Sequence, residues 1–457
     1  MLPNSFLYLY LLSSLTLLAP PSSQPGTPQS PAPDREVVFV RAERLILSPG
    51  NELENGALLI EDGRIVGVGS DLNAPDGALE LSGRVVCAGF IDPWSSLSVD
   101  PMSVRDMGTN PAVRTSDAFD PWRETHLVTE ALRGGVTSVR VQAGMSAAVG
   151  GLGSVLRLGD DGSTILLDDA CVGATVGVTR QGRVDVFDRI SEVDRLGGMI
   201  EKGRAYRESQ VEYKHDLLEW QKSIAEKAKE LEDDFKKAKK KRDKDVGKAK
   251  EGGKEYKEKR YKEGKKPKRP KYDAAAEVLA RVAEGEVSFI VEIHRSAELR
   301  RLLARTKSFD RLRLVISGAT EALDHVDELA ERNIPTILWP APLGSGGYGA
   351  RDEYDEHDLA LAGELARAGV PVLLGSGGSP HARELRMLAA LAVSNGLDRE
   401  AALASITTRP ADVFDVAGKV GSLGVGMDAD VLVFDGDPLD TTSKLLYCLS
   451  KGEVVAQ

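Results

Sequence analysis

Histidine and cysteine are scarce in this chain, with six and three residues among 457. The cysteines, Cys87, Cys171 and Cys448, are odd in number and each stands in an apolar, strand-like run. They read as buried free thiols rather than a disulfide framework. No two histidines are spaced as a chelating pair, so no metal motif can be read from local spacing. Lysine is missing from the whole N-terminal part, the first being Lys202. Positive charge is short overall: 59 Lys and Arg against 70 Asp and Glu leave a net charge of −11, which argues against a nucleic-acid binder. The N-terminal apolar run, Phe6 to Ala19, is too short for a comfortable bilayer span.

That run has the length of a signal-peptide core, and Pro20-Pro21-Ser22-Ser23 follows it. Against a cleaved signal peptide, no Lys or Arg precedes the run and no clean small-x-small cleavage site follows it, and the absence of a cysteine near its end argues against a lipoprotein anchor. The expectation for residues 1–23 is therefore a signal peptide, or an uncleaved N-terminal anchor. Its corollary is an exported protein, periplasmic or extracellular, or a membrane-tethered one if the segment is retained. Residues 24–35, rich in Pro, Ser and Gln, read as a disordered linker.

From Glu36 onward, short apolar runs alternate with turn signals, including the hairpin dipeptide Asp62-Gly63. This all-β texture returns only near the C-terminus, in residues 421–435 and around Lys451-Gly452. The two segments, 36–84 and 420–457, are expected to build one small β-sandwich from both termini. Between them, residues 85–419 alternate strands (Val136–Val141, Ser288–Ile293, Arg313–Ser317, Thr336–Trp339, Val370–Leu374) with helices starting near Ser296, Ala322 and His357. Repeated strand–helix units over this length predict an α/β fold with a (β/α)8 TIM-like barrel.

Residues 201–272 belong to no barrel. They hold 26 Lys or Arg against 16 Asp or Glu, a surplus of ten positive charges, so the remainder of the chain stands at −21. Leu217, Trp220, Ile224, Ala228, Leu231 and Phe235 recur at three- and four-residue steps and share one helix face. A charged helical insertion is expected here, broken near Gly247 and Gly252-Gly253. It would be solvated, packed back on the acidic body, or docked on a protein partner.

The run Gly89-Phe90-Ile91-Asp92-Pro93-Trp94-Ser95-Ser96 resembles the first barrel strand of the metal-dependent amidohydrolase superfamily, and Gly421-Ser422-Leu423 through Ala429-Asp430 resembles its C-terminal signature. Thr407-Thr408-Arg409-Pro410-Ala411 is similar to a further segment of that family. Within the superfamily the chain looks most like secreted imidazolonepropionase-like members. The resemblance implies hydrolysis of carbon–nitrogen bonds other than peptide bonds, with metal-activated water. It also implies a homo-oligomer.

It further implies ligand positions that can be checked. The family's His-x-His falls on Trp94 and Ser96, the strand-six His on Gly318 and the strand-eight Asp on Gly377. No strand before Lys202 can carry a modified lysine. Only His294 retains a family ligand identity. A catalytic zinc site needs about three protein ligands in fixed geometry, so the expectation is a non-catalytic homologue with no cofactor.

One alternative is a hydrolase rebuilt around His294 and Glu292. It would hold a single Zn, Fe or Mn ion, or use metal-free chemistry at Ser96 or Ser376, with Ser317 and Ser379 as further strand-end hydroxyls and His381 as a further base. Another is a scaffold acting through the basic insertion. The run Ser376-Gly377-Gly378-Ser379, leading into a helix, is a candidate anion-binding turn, as is the Gly150–Ser154 stretch to a lesser degree.

Overall fold

The computed structural model describes residues 37–100, 110–142, 149–176, 186–252, 265–339 and 358–456, with backbone only for Val186, Ala228 and 231–252. The expected signal segment, the linker and His357 lie outside the described residues.

The chain begins with five strands, β1 (Val37–Ser48), β2 (Asn51–Glu54), β3 (Ala57–Glu61), β4 (Arg64–Gly69) and β5 (Leu79–Ala88). The β3–β4 turn is Asp62-Gly63, both at positive φ (51° and 76°), the backbone that a two-residue hairpin requires. β1 pairs antiparallel with β2 and β3 and parallel with β5.

Eight strands then form the barrel sheet: β6 (Phe90–Ser95), β7 (Val136–Val141), β8 (Val149–Arg157), β9 (Thr164–Thr175), β10 (Ser288–Ile293), β11 (Leu314–Gly318), β12 (Thr336–Leu338) and β13 (Val372–Leu374). They pair in chain order. Helix α1 (Thr125–Arg133) joins β6 to β7, and α2 (Val186–Gly252) with α3 (Ala274–Ala283) joins β9 to β10. Next come α4 (Ser296–Thr306), α5 (Val326–Glu331) and α6 (Leu361–Arg367), each preceding the following strand. After β13 come α7 (Leu385–Ser394), α8 (Arg399–Ser405) and α9 (Thr408–Val413).

The expectation of uniform strand–helix repeats is corrected at one point: β8 runs antiparallel to both neighbours. Residues 158–163 between β8 and β9 are too few for a parallel crossover, which needs a dozen or more, but suffice for a hairpin return. The interior starts with a dry layer of Ile91, Val155, Cys171, Ile290, Val315, Ile337 and Leu373, one side chain from each of seven strands.

The C-terminal strands β14 (Val431–Phe434), β15 (Leu445–Ser450) and β16 (Glu453–Ala456) add to β5. Both ends of the chain thus share one hydrogen-bonded sheet, β16-β15-β14-β5-β1-β3-β4 with β2 on β1, rather than two stacked sheets. The Asp-rich C-terminal signature ties this sheet to the barrel. Arg157 of β8 donates to Asp428 (2.6 Å) and Asp430 (3.2 Å), and all three side chains are buried.

The insertion also departs from expectation. α2 runs unbroken through Gly247 to Gly252. Its first turns belong to the body, with Val193, Leu196 and Ile200 in the main core and Arg189 ion-paired to Glu298 (3.1 Å). Among the described residues no helix is long and apolar enough to cross a membrane.

Candidate functional site

In barrels of this kind chemistry sits at the C-terminal ends of the strands. Side chains alternate faces along a strand, so residues two beyond the dry layer point to the same interior. These are Gly153, Gly173, Glu292, Ser317, Trp339 and Gly375, with Arg140 on β7. At and just beyond this level four side chains, carried by β7, β6 and the residues that follow β12 and β10, stand in a row. The Arg140 guanidinium lies over the Trp94 ring (5.3 Å to the centroid), Trp94 stacks on Trp339 (5.8 Å, 12°), and His294 meets Trp339 edge-on (5.8 Å, 86°).

Arg140 is 1 % exposed. Its Nε donates to Cys171 Sγ (3.3 Å) and its Nη2 to Gln142 Oε1, while Gln142 Nε2 donates to the Gly151 carbonyl (2.8 Å). Burying a guanidinium is costly unless it is hydrogen-bonded and electrostatically balanced. The indole face supplies part of that balance through a cation–π contact.

Glycines make room for the row. A Cβ on Gly173 would lie 2.5 Å from Gln142, one on Gly375 2.9 Å from Trp94 Cβ, and one on Gly318 2.4 Å from the His294 ring. Gly318 also has φ of +84°. Its missing side chain is thus the space the imidazole occupies.

The barrel's backbone pairing stops between β13 and β6, and Asp92 spans that seam. Its Oδ2 accepts from Ser376 Oγ (2.6 Å), and its Oδ1 accepts from the Ser376 N–H (3.1 Å) and the Trp94 N–H (3.0 Å). Asp92 is fully buried. Burial pushes its carboxyl up to about 6, against the lowering effect of the Ser376 and Trp94 hydrogen bonds and of the Arg140 charge.

The residues singled out from sequence all lie at this end, in separate pairs. His294 Nδ1 bonds Thr320 Oγ1 (2.8 Å), and its Nε2 lies 3.9 Å from Glu292 Oε1. Ser96 Oγ bonds Ser379 Oγ (2.5 Å), and Ser317 Oγ accepts from Trp339 Nε1 (3.2 Å). Ser376 is engaged by Asp92, so the glycine-rich turn already holds an anion, the chain's own carboxylate. Gly377 and Gly378 both have positive φ there (82° and 146°). His381 lies in the short helical turn beyond, beside Glu384 (3.3 Å). Gly151 and Gly153, from the other glycine-rich stretch, lie inside β8. Cys87, Cys171 and Cys448 are all buried free thiols.

Sequence reasoning missed Arg140, Gln142, Trp339 and the seam role of Asp92. Arg140 did leave a signal, as the single charge in the otherwise apolar and hydroxyl-bearing strand Val136–Val141. A separate cavity of about 850 Å³ opens beside Lys307, Arg313, Asp327 and Asp412, near the N-terminal ends of β10 to β12 and remote from this row.

The donor set does not fit a family metal centre. The position of the first ligand pair carries an indole and a serine, a guanidinium lies against that indole, and the site of the strand-six ligand is filled by His294. Among the described residues no group of three or more His, Cys, Asp or Glu is arranged to hold a metal ion.

A nearly closed eight-stranded barrel is joined to a sheet built from both ends of the chain, and in this fold the chain is similar to solved amidohydrolases. Residues 345–456 match the model of the amidohydrolase family. A stretch of 69 residues is 38% identical to amidohydrolase tasK of Hapsidospora irregularis, spanning 15% of this chain and 7% of that protein. Among solved structures, an amidohydrolase from Thermotoga maritima MSB8 superposes with a TM-score of 0.66 at 21% identity, covering 92% of this chain and all of that one. Molinate hydrolase superposes with a TM-score of 0.50 at 15% identity, covering 92% and 95%. At these identities the structural likeness is one of fold.

Proposed function

We propose that this chain is a non-catalytic amidohydrolase homologue, a binding or partner subunit whose barrel works without a metal. The observation that carries this reading is the row Arg140–Trp94–Trp339–His294. It sets a permanent cation and two indoles where the family's chemistry needs converging imidazoles and carboxylates. Water activation by a metal requires an ion bound in fixed geometry with an open position. Here Trp94 supplies no ligand atom, and the charge beside it repels a second cation.

The test is elemental analysis of the purified protein after growth with added zinc, iron and manganese. Substoichiometric metal is expected, and one tightly held equivalent of any of the three would overturn the reading. Replacing Trp94 and Ser96 together by His is not expected to recruit metal, because Gly318, Gly377 and Arg140 stay as they are.

A second reading, hydrolysis by a rebuilt site, is favoured by the approach of His294 to Glu292. It requires that amide or ester turnover by the pure protein disappear in His294→Ala. Turnover that survives that change removes it.

A further inference from the structure

We propose that a chloride-sized anion binds inside the barrel, held by the Arg140 guanidinium and the Ser138 hydroxyl. The inference rests on the reading of the barrel as a metal-free binding site and names the chemistry of its ligand. Arg140 is charged at every physiological pH, and it is 1 % exposed. Its two hydrogen bonds go to neutral acceptors, Cys171 Sγ (3.3 Å) and Gln142 Oε1. Among the described residues its Nη1 has no hydrogen-bond partner and no carboxylate forms an ion pair with it.

Two carboxylates share this end of the barrel, and both are engaged elsewhere. The oxygens of Asp92 accept from the Ser376 Oγ and N–H and from the Trp94 N–H. Glu292 accepts from Thr175 Oγ1 (3.4 Å) and lies beside His294 (3.9 Å). Asp92 therefore feels the guanidinium only through space. The Trp94 ring offsets part of the charge without accepting a hydrogen bond in the guanidinium plane. A buried cation without a hydrogen-bonded counter-charge is costly.

Ser138 adds a second donor. It lies two residues before Arg140 on β7, so both side chains face the barrel interior. It is fully buried, and its Oγ has no hydrogen-bond partner among the described residues. A hydroxyl can donate to an anion but cannot neutralise a cation. What this interior is short of is negative charge, and an anion satisfies both groups at once.

The surroundings restrict its size. A Cβ on Gly153 would lie 2.7 Å from Cys171 Sγ and 2.8 Å from Gln142 Oε1, and one on Gly173 2.5 Å from Gln142. These side chains close one side of the guanidinium and Trp94 covers another, which suits an ion of one or a few atoms rather than a bulky organic acid. Burial also strips the ion of its water, which favours chloride or bromide over the more strongly hydrated fluoride or sulfate.

The test replaces chloride by bromide in crystals of the full-length protein grown with EDTA, and reads the bromine anomalous signal. A peak within hydrogen-bond reach of Arg140 Nη1 is expected. In solution, chloride at about a hundred times its Kd should raise the thermal midpoint by about 3 °C over fluoride at the same ionic strength. Arg140→Met should abolish that rise, and Ser138→Ala should weaken chloride binding about tenfold. In fluoride Ser138→Ala should be at least as stable as the wild type, because it deletes a buried hydroxyl that has no partner.

Bromide found only at surface positions, an adventitious ion only, overturns the proposal, and so does a water at Arg140. An equal chloride effect in Arg140→Met does the same, or in Ser138→Ala should the first variant not fold. An organic acid released from the denatured protein and identified by mass spectrometry would overturn the halide assignment. Metal-free protein without bromide at Arg140 sinks this inference and leaves the preceding reading standing. Bromide at Arg140 in protein that purifies with one equivalent of metal sinks that reading instead.

Discussion

Asp92 offers the sharpest quantitative test, because its carboxyl closes the barrel seam from a fully buried position. Burial raises its proton affinity from the ordinary 3.8 to about 6 in the folded protein. The folded state therefore binds this proton more tightly than the unfolded chain does. The resulting stabilisation is complete below about pH 4 and is lost as pH rises through about 6. A shift of roughly two units, at 1.36 kcal/mol per unit, corresponds to about 3 kcal/mol.

Asp92→Asn removes the titration while keeping an acceptor for the Ser376 and Trp94 N–H groups. The stability of wild type minus variant should fall by about 3 kcal/mol between pH 4 and pH 8, most of it between pH 4 and 6. Urea unfolding at five pH values, followed by tryptophan fluorescence, measures it, and Trp94 reports beside the seam. If the two proteins lose or gain stability in parallel over that range, burial of the Asp92 charge is not what the seam carries.

Other consequences follow from single side chains. Arg157→Met leaves Asp430 buried without its cation and Asp428 with only the more distant, exposed Arg64 (3.9 Å), and should cost about 3–5 kcal/mol in urea unfolding, whereas replacing all three by apolar residues should restore most of it. Gly318→Ala forces a Cβ into the His294 ring at a positive φ, and should destabilise by about 1–3 kcal/mol while displacing His294 from Thr320, visible in the imidazole NMR resonances. Trp94→Ala opens the row between Arg140 and Trp339 and should cost about 3 kcal/mol, with loss of the near-ultraviolet circular dichroism of the stacked indoles. Arg140→Met removes a charge that lowers the Asp92 proton affinity, so in the variant the fall in stability should come at a higher pH than in the wild type.

The sequence by itself determined much of the strand and helix order and which family ligand identities are substituted. Short apolar runs punctuated by turn signals, Asp62-Gly63 among them, placed β1, β3, β4 and the first barrel strand, and the alternation of apolar runs with helical segments placed β7 and β10 to β13, while β2, β8 and β9 were not read as strands. Substituted family positions at Trp94, Ser96, Gly318 and Gly377 were visible because a ligand's identity is a local property of one residue. The antiparallel course of β8 was also local in origin, set by the short link 158–163, but its direction becomes definite only when β9 pairs beside it.

The tertiary structure alone decided what fills the vacated positions. Arg140, Trp94, Trp339 and His294 come from strands and strand ends separated by long stretches of chain, and no spacing rule connects them. Their meeting depends on barrel curvature and on the glycines that leave room for Gln142, Trp94 and His294. The same holds for Asp92, whose neighbour Ser376 is 284 residues away, and whose proton affinity is set by burial rather than by any adjacent residue. Sequence records which groups a chain owns, while closure of the barrel determines which of them share a dry interior. There the charge of one becomes the environment of the next.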